Sequence, residues 1–140
     1  MPFPEPGRAT DARDSGRVLI VEDDPGTAQS LASILNRAGY QTTVCYNGTQ
    51  ALRSAGDVSP AAAMVDIHLP DLNGLVITQK LRAQLGPRVP IIIVSGDTSM
   101  ETLNSLSHVG ATYFLSKPTT ASVLLQMLGD CIVDASRRAC

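Results

Sequence analysis

Arg17-Val-Leu-Ile-Val-Glu-Asp-Asp-Pro25 decides how this chain is read. Val18–Val21 is an unbroken aliphatic run, as expected of a strand covered on both faces. Three carboxylates follow at once, and Asp24-Pro25 suits a helix cap and its first turn. The stretch therefore reads as a buried strand (17–22) that ends in acids and passes directly into a helix.

Three later stretches end in the same manner, each on a different polar residue. Ala61-Ala-Ala-Met-Val65 runs into Asp66, Pro90-Ile-Ile-Ile-Val94 into Ser95, and Thr112-Tyr-Phe-Leu-Ser116 into Lys117-Pro118. If all four are parallel strands, one edge of one sheet collects carboxylates, a hydroxyl and an ammonium. The segments between them read as helices. After Asp24, Ala28, Leu31, Leu35 and Ala38 fall on one helical face and Gly39 ends it. Gln41–Cys45 is a short, partly polar strand, and residues 48–55 form a short helix. The turn formers of 68–74 lead into a helix with Ile77, Leu81 and Leu85 as its apolar stripe. Residues 98–109 read as a helix of mediocre formers, and 120–135 as the last helix.

Alternating strands and helices predict right-handed crossovers and a doubly wound α/β fold, (βα)5, in three layers. The first, third and fourth strands are the most apolar and belong in the centre; the second and fifth carry Thr, Gln and Ser and suit the edges. The order 2-1-3-4-5, the flavodoxin-like order, satisfies this. In such a sheet the ligand crevice lies at the carboxyl ends of the strands, between the first and third. Those ends carry Glu22, Asp23 and Asp66.

Composition narrows the function. The chain has 140 residues, 44% of them hydrophobic, enough for one domain with a real core. Residues 1–16 are rich in Pro, Gly and charge and read as a flexible leader, 17–135 as the domain, and 136–140 as a tail. A net charge of -2 offers no basic field for nucleic acid, and no apolar run approaches a membrane span. No Gly-x-Gly-x-x-Gly follows the first strand and no P-loop occurs, which argues against dinucleotide and P-loop nucleotide binding. Cys45, Cys131 and Cys140 make no metal or disulfide pattern, so a reducing cytoplasm is the simplest setting: two packed thiols and one loose terminal one.

The chemistry of the edge follows from its residue types. Three crowded carboxylates repel one another unless a cation joins them, and a hard divalent ion such as Mg²⁺, with Mn²⁺ as the alternative, suits oxygen ligands. One oxygen of Asp66 can hold metal while the other attacks phosphorus to form an acyl phosphate. Lys117 would offset charge on the phosphoryl oxygens and Ser95 would donate a hydrogen bond to one of them. Asp24 reads as the helix cap.

The pieces that carry this chemistry are Val18-Leu-Ile-Val-Glu-Asp-Asp24, Met64-Val-Asp-Ile-His-Leu-Pro-Asp-Leu-Asn-Gly74, Ile92-Ile-Val-Ser-Gly96 and Gly110-Ala-Thr-Tyr-Phe-Leu-Ser-Lys-Pro118. In this order and over residues 17–135, they resemble the receiver domain of two-component response regulators, of the chemotaxis-regulator kind. The resemblance implies that Asp66 accepts a phosphoryl group from a histidine kinase or histidine phosphotransfer protein. It matches Glu22 and Asp23 to the acidic pair beside Mg²⁺ and implies a further metal ligand from the backbone carbonyl of His68. Ser95 matches the switch hydroxyl, Lys117 the family's lysine, and Lys117-Pro118 a bond that is usually cis. Phe114 stands where relatives often have a tyrosine that swings inward, while Tyr113 should face the other side of the strand. His68 and Asp97 are expected to flank the hydrolytic water and tune the lifetime of the phosphoryl group.

The resemblance further implies an output through the face of helix 98–109, the fifth strand and the last helix. Its recipient would be a downstream protein, a fused output domain or a second copy. The last helix carries Val123, Leu124, Leu125, Met127, Leu128, Cys131 and Ile132 over an arc of about 200°, wider than a usual core stripe. An aspartyl-phosphate phosphohydrolase of the haloacid-dehalogenase type is the alternative, but it needs an Asp where His68 stands, and a cap domain. The expectation is therefore a switch that modifies itself and is not otherwise an enzyme.

Overall fold

The computed structural model describes residues 16–66, 74–96, 112–117 and 119–139. The elements are β1 (Arg17–Val21), α1 (Pro25–Arg37), β2 (Gln41–Cys45), α2 (Gly48–Val58), β3 (Ala62–Val65), α3 (Gly74–Leu85), β4 (Ile91–Ser95), β5 (Thr112–Ser116) and α4 (Ala121–Ala139). The helix expected over 98–109 and the turn of 68–73 lie outside the described residues. All strands pair in parallel, in the order β2-β1-β3-β4-β5.

Strand alternation divides the core in two. Leu19, Val21, Ala63, Val65, Ile91 and Ile93 face α2 and α3, where Ala51, Ala55, Ile77 and Leu81 meet them. Val18, Ile20, Ala62, Met64, Ile92 and Val94 face α1 and α4, where Leu35, Leu124, Leu128 and Cys131 meet them. The central strands β1, β3 and β4 are buried along nearly their whole length, whereas edge strand β2 is exposed at Gln41 and only partly buried through its middle. Arg17 clips that edge: its guanidinium donates to Gln41 Oε1 at 2.7 Å and to Thr43 Oγ1 at 3.0 Å.

The helix ends obey local chemistry. Asp24 caps α1, its carboxylate accepting from Thr27 N–H at 2.9 Å and from the Thr27 hydroxyl at 2.6 Å. Gly39, at φ +102°, ends α1 as expected. Asn47 caps α2 by accepting from Gln50 N–H at 2.8 Å, and Gln50 Oε1 accepts in return from Tyr46 N–H at 2.8 Å. Gly16 precedes β1 at φ +106°, and a Cβ there would lie 2.9 Å from that of Ala61. Only glycine fits this entry to the sheet.

Three helix ends differ from the sequence reading. α2 continues to Val58, past the expected end at 55, and stops on Ser59 in the left-handed region. α4 continues to Ala139, so residues 136–139 extend the helix rather than form a tail. Gly56 stands directly after the expected end of α2 yet lies inside the helix, and no glycine or proline follows the expected end of α4, so neither helix stopped where expected. Ala38 is the exposed cap of α1 and not part of its buried face. Cys45 and Cys131 are free, buried thiols, while Cys140 lies outside the described residues.

Gly56 lies inside α2, and a Cβ built on it meets nothing within 4 Å. Gly56→Ala is therefore expected to raise stability by about 0.5–1 kcal/mol, the usual cost of glycine in a helix. Urea unfolding of the two chains checks this, and an equal or lower midpoint for the variant would contradict it.

Candidate functional site

Three of the four polar strand ends are held by a ladder hydrogen bond that runs one residue beyond the strand. Glu22 N–H donates to Cys45 O at 3.0 Å, Asp66 N–H to Val21 O at 2.9 Å, and Lys117 N–H to Ser95 O at 2.9 Å. The backbones that carry the chemistry are thus fixed by the sheet, and only the side chains are left to adjust.

Those side chains converge. Glu22, Asp23 and Asp66 each offer a carboxylate oxygen within 4.8 Å of the others. Lys117 reaches across the edge with its ammonium 3.1 Å from Glu22 Oε1 and 3.3 Å from Asp66 Oδ2. Glu22 is almost fully buried, and its second oxygen accepts from Asp24 N–H at 3.3 Å. Asp23 is exposed and Asp66 half-buried. Three hard oxygen donors at this spacing fit a divalent ion such as Mg²⁺.

The electrostatics reflect the crowding. Burial pushes the Glu22 carboxyl above its ordinary value, aided by the charge of Asp66 and opposed by the hydrogen bonds from Lys117 and Asp24. Burial alone would push the Lys117 ammonium down, but the Glu22 hydrogen bond and the charges of Asp66 and Glu22 outweigh it, and the net shift is upward. Asp24 is lowered by its bonds to Thr27, as suits a cap that stays ionised.

The Glu22 shift has a consequence for stability. A carboxyl raised in the folded state stabilises the fold fully below the unfolded value, ordinarily 4.5, and that contribution is lost as pH rises through the folded value. Without metal, the advantage of Glu22→Gln over the native chain should therefore grow between pH 4.5 and neutrality. Urea midpoints in chelator across that range measure it; parallel profiles would refute the assignment.

Ser95 is buried at the end of β4, in register with Ser116. By alternation it shares the α2/α3 face of the sheet with Phe114, which packs against that core beside Ile93. Tyr113 packs against the opposite core, as expected. His68, Asp97 and Pro118 lie outside the described residues. The Lys117–Glu22 contact was not legible in the sequence. It joins residues 95 apart, and no local pattern announces such a pair.

A five-stranded doubly wound sheet with a carboxylate cluster and a lysine at its carboxyl edge defines the class of α/β domain to which the chain belongs. The sequence profile of the response regulator receiver domain matches residues 18–129, and the chain belongs to that family. It is 31% identical over 129 residues to the sensory/regulatory protein RpfC of Xanthomonas campestris, covering 89% of this chain and 18% of that protein. It is 33% identical over 102 residues to the DNA-binding response regulator MtrA of Mycolicibacterium smegmatis, covering 73% of this chain and 44% of that protein. The chain thus spans less than half the length of either relative. The crystal structure of a CheY-like receiver domain protein from Methanospirillum hungatei JF-1 superposes with a TM-score of 0.83 at 27% identity, over 87% of this chain and 97% of that one. No described helix is long and apolar enough to cross a membrane.

Proposed function

We propose that the chain is a phosphorylation-dependent switch in which Asp66 accepts a phosphoryl group from the phosphohistidine of a histidine kinase or phosphotransfer protein. The observation that carries this is the Lys117 ammonium held between Asp66 and Glu22, at 3.3 and 3.1 Å. A cation fixed beside a strand-end carboxylate is already placed to meet the charge of an incoming phosphoryl group.

Asp66, Glu22 and Asp23, with the backbone carbonyl of His68, would hold Mg²⁺ or Mn²⁺, which when bound supplies positive charge to the phosphoryl oxygens. The chain's own residues divide the remaining work. A carboxylate oxygen of Asp66 forms the new bond to phosphorus as the phosphorus–nitrogen bond of the donor breaks, and the electron pair leaves with the imidazole. Lys117 draws the phosphoryl oxygens toward the sheet edge, and Ser95 donates to one of them. Ser95 and Phe114 share one face of the sheet, so a shift of the hydroxyl changes the packing space beside the ring. His68 and Asp97 tune the rate at which water removes the group. Without a hydroxyl, Phe114 transmits this change by packing alone.

Output then passes through the face of segment 98–109, β5 and α4 to a downstream protein, a fused output domain or a second copy. Val123 is half-exposed there, and β5 and α4 border a groove of about 570 Å³ lined by Tyr113, Met127 and Cys131. In this reading the chain acts in the cytoplasm, has no direct contact with nucleic acid or membrane, and modifies itself rather than turning over a substrate.

The test is incubation of the native chain with acetyl phosphate, with Mg²⁺ or with chelator, followed by intact-mass measurement. One phosphoryl adduct per chain is expected with Mg²⁺ and none with chelator. No adduct with Mg²⁺, or sustained turnover of a generic phosphate ester, would overturn the reading.

A further inference from the structure

β2 ends the sheet on one side, and no described strand lies beyond it. Its ladder to β1 uses Gln41 N–H, which donates to Gly16 O, and Cys45 O, which accepts from Glu22 N–H, both at 3.0 Å. By alternation, the N–H and C=O groups of Thr42 and Val44 point the other way, out of the sheet. Such an edge is a template for another strand. Centred on Thr43, β2 of an antiparallel second copy would set Thr42 opposite Val44 and Val44 opposite Thr42. Each of those pairs would exchange both backbone hydrogen bonds. Thr42, Thr43 and Val44 are all β-branched, which suits the pairing.

Arg17 stands in the way. It opens β1 opposite Gln41, yet its guanidinium reaches over β2 to the outer side. It donates to Gln41 Oε1 at 2.7 Å, to Thr43 Oγ1 at 3.0 Å and to the outward carbonyl of Thr42 at 3.3 Å. The last contact takes one acceptor from each of the pairs that a second copy would form. Pairing through Thr43 would also bring two guanidiniums to the same pair of threonines, and like charges directly opposite each other oppose strand pairing.

We infer that Arg17 is a guard on this edge. The chain carries a latent interface, β2 against β2 of a second copy, and the guanidinium holds it closed. Gln41 and Thr43 fix the guard in place, so the block is part of the folded edge rather than a passing contact. The inference is independent of the phosphoacceptor reading.

Sedimentation equilibrium of the full chain over a concentration series tests it. Arg17→Leu, which removes the donors and the charge, should reach twice the mass of the native species at concentrations where the native mass is constant. Adding Thr42→Pro removes one outward N–H and leaves the ladder to β1 intact, so the double variant should return to the native mass. Arg17→Leu with the native mass throughout overturns the proposal, as does a double variant that associates as strongly as the single one. Amide hydrogen exchange reads the same edge in the native chain, whatever the fate of the variants. There, Thr42 and Val44 N–H should exchange faster than Thr43 N–H, which belongs to the ladder. Protection of both in the native chain would mean that the edge is already covered and would overturn the proposal. In Arg17→Leu both amides should become protected as the mass rises; association that leaves them unprotected places the contact elsewhere and overturns it too.

Discussion

Asp66→Ala is expected to abolish the phosphoryl adduct formed with acetyl phosphate and Mg²⁺, from one per native chain to background. The chain has 13 acidic residues, any of which is a carboxylate in the chemical sense. Asp66 differs in its surroundings: its backbone is pinned to β1, its side chain lies 3.3 Å from an ammonium, and two more carboxylates stand within metal-sharing distance. That cation is placed to meet the charge that builds on the phosphoryl oxygens. Intact mass on both chains decides the matter. An equal adduct on the variant would place the acceptor elsewhere and remove the basis of the proposed mechanism. The same substitution relieves Glu22 of a repelling neighbour, so the upward shift of its carboxyl should shrink.

The second large effect concerns the core. Ile92→Ala is expected to cost about 3–4 kcal/mol, against about 1 kcal/mol for Ile92→Val. Ile92 is fully buried on central strand β4, between Met64 on β3 and Tyr113 on β5, and packs into the α1/α4 side of the core. The sheet neighbours are pinned on both sides, so the cavity left by three missing carbons cannot collapse. A loss of this size is a large fraction of the stability of a domain such as this. The substitution also lies three residues before Ser95 on the same strand, so phosphorylation should fail at lower urea than in the native chain. Urea unfolding measures the loss; a cost below about 1 kcal/mol would mean that the core is looser than its burial implies.

The stop signals explain where the reading from sequence erred. Asp24-Pro25 starts α1 and Gly39 ends it because caps act through hydrogen bonds within a few residues, and both were legible. α2 ran through Gly56 to stop on Ser59, and α4 met no glycine or proline beyond its expected end, so both continued past it. The wide apolar arc of α4 likewise resolved only on packing: Leu124, Leu128 and Cys131 are buried, while Val123 is half-exposed.

By itself the sequence determined the alternation of strands and helices, the strand order, and the residue type at each strand end. Aliphatic runs, caps and edge polarity act locally or through composition, so they can be read along the chain. The tertiary structure alone decided that Lys117 bridges Glu22 and Asp66, that Phe114 and Ser95 share a face, and that burial raises the Glu22 carboxyl. Each of these depends on distances between segments far apart in the chain. Those distances are set by the register of the parallel sheet, which no short stretch of sequence contains.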